Sequence, residues 1–250
     1  MSRSILALVI ILTLPAASFA AKLTVAVAAN VQSAFAELKS VFESDTGIQI
    51  KGIIGSSGKL TAQIENGAPF DVFLSADTDY PQTLYKKGLT YNAPRIYGYG
   101  TLILWTLENL DLSQGMQILT APSIQKIAVP MPKTSPYGRQ AISALKHYQL
   151  YAPVSPKLVY GESIAQTNQF ITSRAGDIGF TAKSVVMSPN TKNQGTWIEI
   201  EKDAYEPLAQ AVVILKHAKI HNQSCAQEFY DFLFSKKAQD IFYKHGYTLP

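Results

Sequence analysis

Short apolar runs alternate with amphipathic stretches along most of the chain. Residues 23–29 (Leu-Thr-Val-Ala-Val-Ala-Ala) form a continuous apolar run of the kind buried on both faces in a parallel sheet. Asn30 then reads as a helix N-cap, with Val31, Phe35, Leu38, Val41 and Phe42 on one helical face and Gly47 as the stop. A second apolar run, 48–54, enters the turn Gly55-Ser56-Ser57-Gly58 and a short helix ending at Gly67. A strand over 70–75 and a helix near 80–87, closed by Gly88, continue the alternation. A second set of units begins near residue 101. It predicts strands at 102–105 and 126–129 and a helix opened by Pro136-Tyr137-Gly138. An extended stretch at 158–160, a helix from about 164 to 174 closed by Gly176, and a strand at 178–181 follow. A strand over 211–215, with His217 at its end, and helices near 224–234 and 237–244 complete the chain.

Repeated strand–helix alternation predicts an α/β architecture with mostly parallel, doubly wound sheets. The chain leaves the first set of units near 98–103 and returns near 206–211. The second lobe is therefore expected to be an insertion in the first. Lobe I spans 21–101 and 209–250, and lobe II spans 102–208. Two crossovers favour hinge closure over a cleft.

The first residues break this pattern. Arg3, an apolar run over 5–14, Pro15 and the small-x-small triplet Ser18-Phe19-Ala20 have the three parts of an export signal. The run is too short for a stable membrane span. Residues 1–20 are thus expected to be a signal peptide cleaved after Ala20, which places the protein in the periplasm. No Cys follows the run, so a lipid anchor is not expected. The single Cys225 excludes an internal disulfide. The formal net charge of +4 comes from dispersed Lys and Arg rather than a basic patch, so no nucleic-acid partner is expected.

Four predicted helix starts each follow a strand: Ala29-Asn30, Ser56-Ser57-Gly58, Tyr137-Gly138 and Ser163-Ile164. Two belong to each lobe. Open α/β sheets bind ligands at the carboxyl ends of their strands, so all four can face one cleft. Helix N-termini offer unsatisfied N–H groups at a positive dipole end. Asn30, Ser57 and Tyr137 add neutral polar side chains. Together these residues describe a seat for a small oxyanion.

Other chemistries fit less well. Gly52 to Gly58 brackets five residues and Leu60 follows Lys59, which is not the phosphate-binding loop of nucleotide enzymes. Asp71 and Asp77 could suggest a hydrolytic carboxylate pair, but a buried hydrogen-bonded Asp71 and a capping or hinge Asp77 explain them more simply. His217, His221 and Cys225 are spaced by four but lack a fourth ligand. No Gly-x-Ser-x-Gly nucleophile elbow occurs. The chain reads as a binding protein rather than an enzyme, with no cofactor.

Three blocks carry a family resemblance: residues 25–30, Gly55-Ser56-Ser57-Gly58-Lys59-Leu60, and the near-continuous 63–77. Pro136-Tyr137-Gly138, Ser155-Pro156-Lys157-Leu158 and Asp177-Ile178-Gly179-Phe180 follow at matching intervals. In these residues the chain resembles the molybdate-binding periplasmic proteins of molybdate ABC transporters, across essentially the whole mature length. The resemblance implies a two-lobed type II periplasmic-binding fold that closes on molybdate or tungstate through neutral hydrogen bonds. No protein atom ligates the metal directly. It implies contacts at Asn30, Ser57, Tyr137 and the backbone N–H of Ile164, with lesser roles for Ala29 and Ala182. It also implies a membrane permease as partner and a monomeric receptor. Some members carry a Tyr hydroxyl where Ala182 stands, and the Tyr137 hydroxyl is expected to replace it. Lys183 departs from the pattern, and an ammonium at the cleft rim would favour any dianion, so a receptor for sulfate, thiosulfate, phosphate or a ferric-anion complex is the alternative expectation.

Overall fold

The computed structural model describes residues 22–250, so the predicted export signal lies outside it. Lobe I begins with β1 (Lys22–Ala28), a short turn of 3-10 helix over Ala29–Val31, and α1 (Gln32–Thr46). It continues with β2 (Gln49–Gly55), α2 (Ser57–Glu65), β3 (Val72–Leu74), α3 (Asp79–Lys86) and β4 (Arg95–Gly100). The chain then crosses to lobe II. That lobe holds β5 (Leu102–Thr106), β6 (Ile127–Pro130), α4 (Pro136–His147), the short α5 (Tyr151–Val154) and β7 (Leu158–Gly161). Next come α6 (Ile164–Thr172), β8 (Ile178–Ala182), the single turn α7 (Lys183–Val186) and β9 (Thr196–Glu199). The return to lobe I adds β10 (Leu208–Ile214), α8 (Lys216–His221), α9 (Gln223–Phe232) and α10 (Lys236–Lys244).

Each lobe is a five-stranded sheet, ordered β2-β1-β3-β10-β4 in lobe I and β7-β6-β8-β5-β9 in lobe II. β1 runs parallel to β2 and β3, and β6 parallel to β7 and β8. β10 lies antiparallel to both its neighbours, and so does β5. The reversed strand in each sheet is the one that has just crossed between lobes, and the other four share a direction. The strands β5 and β8 are buried along their whole length, which suits continuous apolar runs covered on both faces.

Lobe I packs two helical layers on its sheet. On one side Phe229 of α9 meets Phe42 edge-on at 5.1 Å and Phe35 at 6.4 Å. On the other side Leu60 and Ile64 of α2 and Leu84 of α3 cover Phe73 and Val213. Lobe II closes around Leu104, Val129, Leu145 and Phe180.

Several local expectations change. Asn30 is not an N-cap: it lies within the 3-10 turn, and the cap of that turn, Ala28, has no capping side chain. His217 does not end a strand but sits in α8. The strand β4, the helices α5 and α7, and β9 did not stand out in the sequence. The helix α6 ends before a left-handed Arg174 (φ 57°) rather than at Gly176. Gly176 instead lets the chain pass Ala128, whose Cβ would lie 3.3 Å from an added Cβ.

Candidate functional site

The first turn of an α-helix leaves its N–H groups without intrahelical acceptors. At α2, α4 and α6 several of these groups are already served. Gly58 N–H donates to the Thr134 carbonyl at 2.9 Å, Gly138 N–H to Ser135 Oγ at 3.4 Å, and Gln166 N–H to Ser163 Oγ at 3.4 Å. The N–H groups of Ser57, Tyr137 and Ile164 have no acceptor among the described residues. All three residues line one cavity at the meeting of the lobes, together with Ala28, Ala29, Asn30, Ser56, Ala76, Ser135 and Pro136. The space between them is about 180 Å³ with its open mouth included, and it is tight in this closed form. No lining residue carries a charge. Ser57 is 1% exposed, and its Oγ accepts the Ala76 N–H at 3.0 Å, which leaves its own proton to donate into the cavity. The arrangement is a set of partial positive charges around a space suited to a small anion.

Five of the six residues expected from the sequence meet here: Ala29, Asn30, Ser57, Tyr137 and Ile164. Ala182 does not. It is fully buried in the apolar core of lobe II and does not line the cavity. Two side chains also point elsewhere than expected. Asn30 Nδ2 donates to Gln210 Oε1 at 2.8 Å and to the Tyr247 hydroxyl at 3.2 Å, so the side-chain amide faces the protein. The Tyr137 hydroxyl accepts from Gln210 Nε2 at 3.0 Å, tucked against Gly100, where any Cβ would collide with it. It therefore does not substitute for a hydroxyl at position 182.

These contacts form a buried polar knot behind the cavity. Gln210 is fully buried on β10, and the Tyr97 hydroxyl lies 2.8 Å from Gln210 Oε1 and 2.9 Å from the Ser75 carbonyl. The Asn30 carbonyl accepts from Ser184 Oγ at 2.7 Å and from the Tyr247 hydroxyl at 3.1 Å. The knot ties Asn30, Tyr97, Gln210 and Tyr247 of lobe I to Tyr137 and Ser184 of lobe II. Burial pushes the Tyr97, Tyr137 and Tyr247 phenols above their ordinary range, so all stay neutral.

The lobes are closed on each other. Lys59 Nζ reaches Glu162 at 2.6 Å across the cleft mouth, on the solvent side of α2. Arg139 of α4 pairs with Asp77 at 2.5 Å, and the Tyr80 hydroxyl donates to the Lys133 carbonyl at 3.2 Å. Burial raises the Asp77 carboxyl above the usual range, while the Ser75 hydrogen bond and the Arg139 charge pull it back. Lys183 pairs with Glu199 at 2.5 Å and does not line the cavity.

The carboxylate pair considered from the sequence is divided. Asp71 is buried before β3, where it accepts from the Thr24 N–H at 2.8 Å and meets His217 Nδ1 at 2.9 Å. Asp77 follows β3 and serves the interlobe contact. Neither lines the cavity. A roomier hollow at the hinge, lined by Tyr99, Tyr205, Leu208 and Leu249 among others, is largely apolar and lacks the convergent N–H groups. Sequence reasoning missed Gln210 and Thr134, and it placed Ser56 in the helix start Ser56-Ser57-Gly58 without naming it as a contact.

Comparison with known proteins places the chain in a family. Residues 23–248 match the family model for bacterial extracellular solute-binding proteins. The chain is 36% identical over 237 residues to the molybdate-binding protein ModA of Azotobacter vinelandii, covering 94% of this chain and 93% of that one. It is 35% identical over 246 residues to ModA of Rhodobacter capsulatus, covering 97% and 94%. Among solved structures, the Azotobacter vinelandii periplasmic molybdate-binding protein superposes with a TM-score of 0.86 at 31% identity, covering 91% of this chain and 99% of that one. With a closed two-lobed fold, an uncharged cavity between the lobes and a family match over nearly all its length, the chain belongs to the bacterial extracellular solute-binding proteins.

Proposed function

We propose that this protein captures molybdate or tungstate between its lobes in the periplasm and delivers it to the membrane permease of an ABC importer. The observation that carries the reading is the convergence of the free N–H groups of Ser57, Tyr137 and Ile164, with the Ser57 hydroxyl, on one small cavity without charges. The Asn30 backbone adds to the same wall, and Ala29 supplies an apolar edge. A buried dianion must keep its oxygens hydrogen-bonded or bear a large desolvation cost. Fixed N–H groups on two rigid lobes meet that need and set the distance between opposite walls. An oxyanion of the right size bridges both, and a smaller one leaves bonds stretched at about 1–3 kcal/mol each. The relatives named as molybdate-binding support the choice of anion.

In this reading lobe I comprises 21–101 and 209–250, and lobe II comprises 102–208. Residues 1–20 direct export and are removed, and the mature receptor acts as a free monomer. The oxyanion is the cargo, and neither a cofactor nor a catalytic step is required. A free Lys183 ammonium at the cleft rim would favour a broader range of anions, and its pairing with Glu199 removes that support. Isothermal titration calorimetry with molybdate, tungstate, sulfate and phosphate tests the proposal. Micromolar or tighter binding of molybdate and tungstate, with sulfate far weaker, is the expected result. Silence toward molybdate, or a preference for sulfate, would sink it.

A further inference from the structure

Ser56 occupies the N-cap position of α2, where a Ser hydroxyl ordinarily accepts an N–H from the first turn. It does not do so here. The Gly58 N–H it would serve is taken by the Thr134 carbonyl, which arrives from the other lobe at 2.9 Å. Ser56 is 4% exposed and lines the oxyanion cavity, and its Oγ is buried with no hydrogen-bond partner. A buried hydroxyl left unsatisfied carries a desolvation cost, so this one calls for an explanation.

We propose that Ser56 is a further ligand-binding residue, whose hydroxyl is handed to the oxyanion as the lobes close. In the open form Ser56 Oγ caps α2 by accepting from Gly58. On closure the Thr134 carbonyl takes over the cap and frees the Ser56 hydroxyl to donate to the bound anion. Gly58 is what lets the exchange occur, because a Cβ there would come within 2.9 Å of Thr134 Cα and 3.0 Å of its carbonyl oxygen. The hydroxyl is thus offered only by a closed receptor, so it rewards anions that allow full closure. The inference rests on the proposed function and deepens it by adding a donor and a specificity element to the same site.

Calorimetry with molybdate and sulfate on the wild type, Ser56→Ala and Ser56→Gly tests it. Gly is tolerated at an N-cap nearly as well as Ser, so Ser56→Gly removes the hydroxyl while largely keeping the helix end. Both variants are expected to bind molybdate at least tenfold more weakly, with the molybdate-to-sulfate preference reduced. The unliganded melting temperature should fall for Ser56→Ala but stay near wild type for Ser56→Gly. Molybdate affinity within twofold of wild type in both variants would overturn the inference and leave the functional reading standing. A wild type that ignores molybdate would overturn both.

Discussion

Ser57 and Tyr137 both line the cavity, yet their hydroxyls serve different ends. The Ser57 Oγ is held by the Ala76 N–H and has its proton to spare. A hydrogen bond to a charged group contributes about 1.5–3 kcal/mol, so Ser57→Ala should weaken molybdate binding by roughly 10- to 150-fold in calorimetry. Tyr137→Phe removes no ligand contact. It leaves the buried Gln210 Nε2 without its acceptor across the hinge, at a cost of about 1–3 kcal/mol to the closed form. It should therefore lower affinity for every bound anion by a similar factor, with the ratio between molybdate and sulfate unchanged. The backbone half of this site was legible from the sequence, because a strand–turn–helix pattern puts first-turn N–H groups at the strand ends. Side-chain direction was not. Asn30 and Tyr137 are turned by Gln210, which lies 180 and 73 residues away in sequence, and nothing local announces that.

Among the elements, the strongly periodic ones could be read directly and the short ones could not. The stops at Gly47, Gly67 and Gly88 all take positive φ, as their position after an amphipathic run implied. The strand β4 was hidden by its glycines and tyrosines, and α8 by its polar composition: Ala218 is its one buried residue, and His217 meets Asp71 where an apolar stripe would otherwise anchor it. The helix α9 depends on Phe229, wedged between Phe35 and Phe42, and Phe229→Ala should cost about 3–5 kcal/mol in denaturant unfolding. The α1–α10 contact gives an acid signature. The hydrogen bond from Lys244 holds the Glu37 carboxyl below its ordinary value of 4.5, opposed by partial burial and aided by His245. A depressed carboxyl stabilises the fold above its unfolded value and loses that contribution as pH falls through its folded value. Melting temperature should thus decline on acidification below about pH 4.5. The Glu37→Gln variant should show a shallower decline over the same window.

For the whole molecule, closure is held by contacts of unequal strength. Lys59 and Glu162 are largely exposed, so Lys59→Ala should change ligand affinity less than about fivefold. Arg139 faces an Asp77 that is largely buried, and Arg139→Ala strands that carboxylate. Its ligand affinity should fall at least tenfold, and small-angle scattering should show a more expanded protein at subsaturating molybdate. The two-lobed plan was readable because each lobe repeats strand–helix alternation. The closed state was not, since it rests on side chains that meet only across the cleft.

The absence of charge from the cavity wall has a consequence for the proton balance of capture. The lining residues offer amides and hydroxyls, and its one phenol is pushed upward by burial. Capture of a fully ionised oxyanion then exchanges no proton with the wall. The binding enthalpy should be the same in buffers of high and low ionisation enthalpy at neutral pH. A wall built this way leaves the pH dependence of capture to groups outside it, the Arg139–Asp77 contact between the lobes first among them.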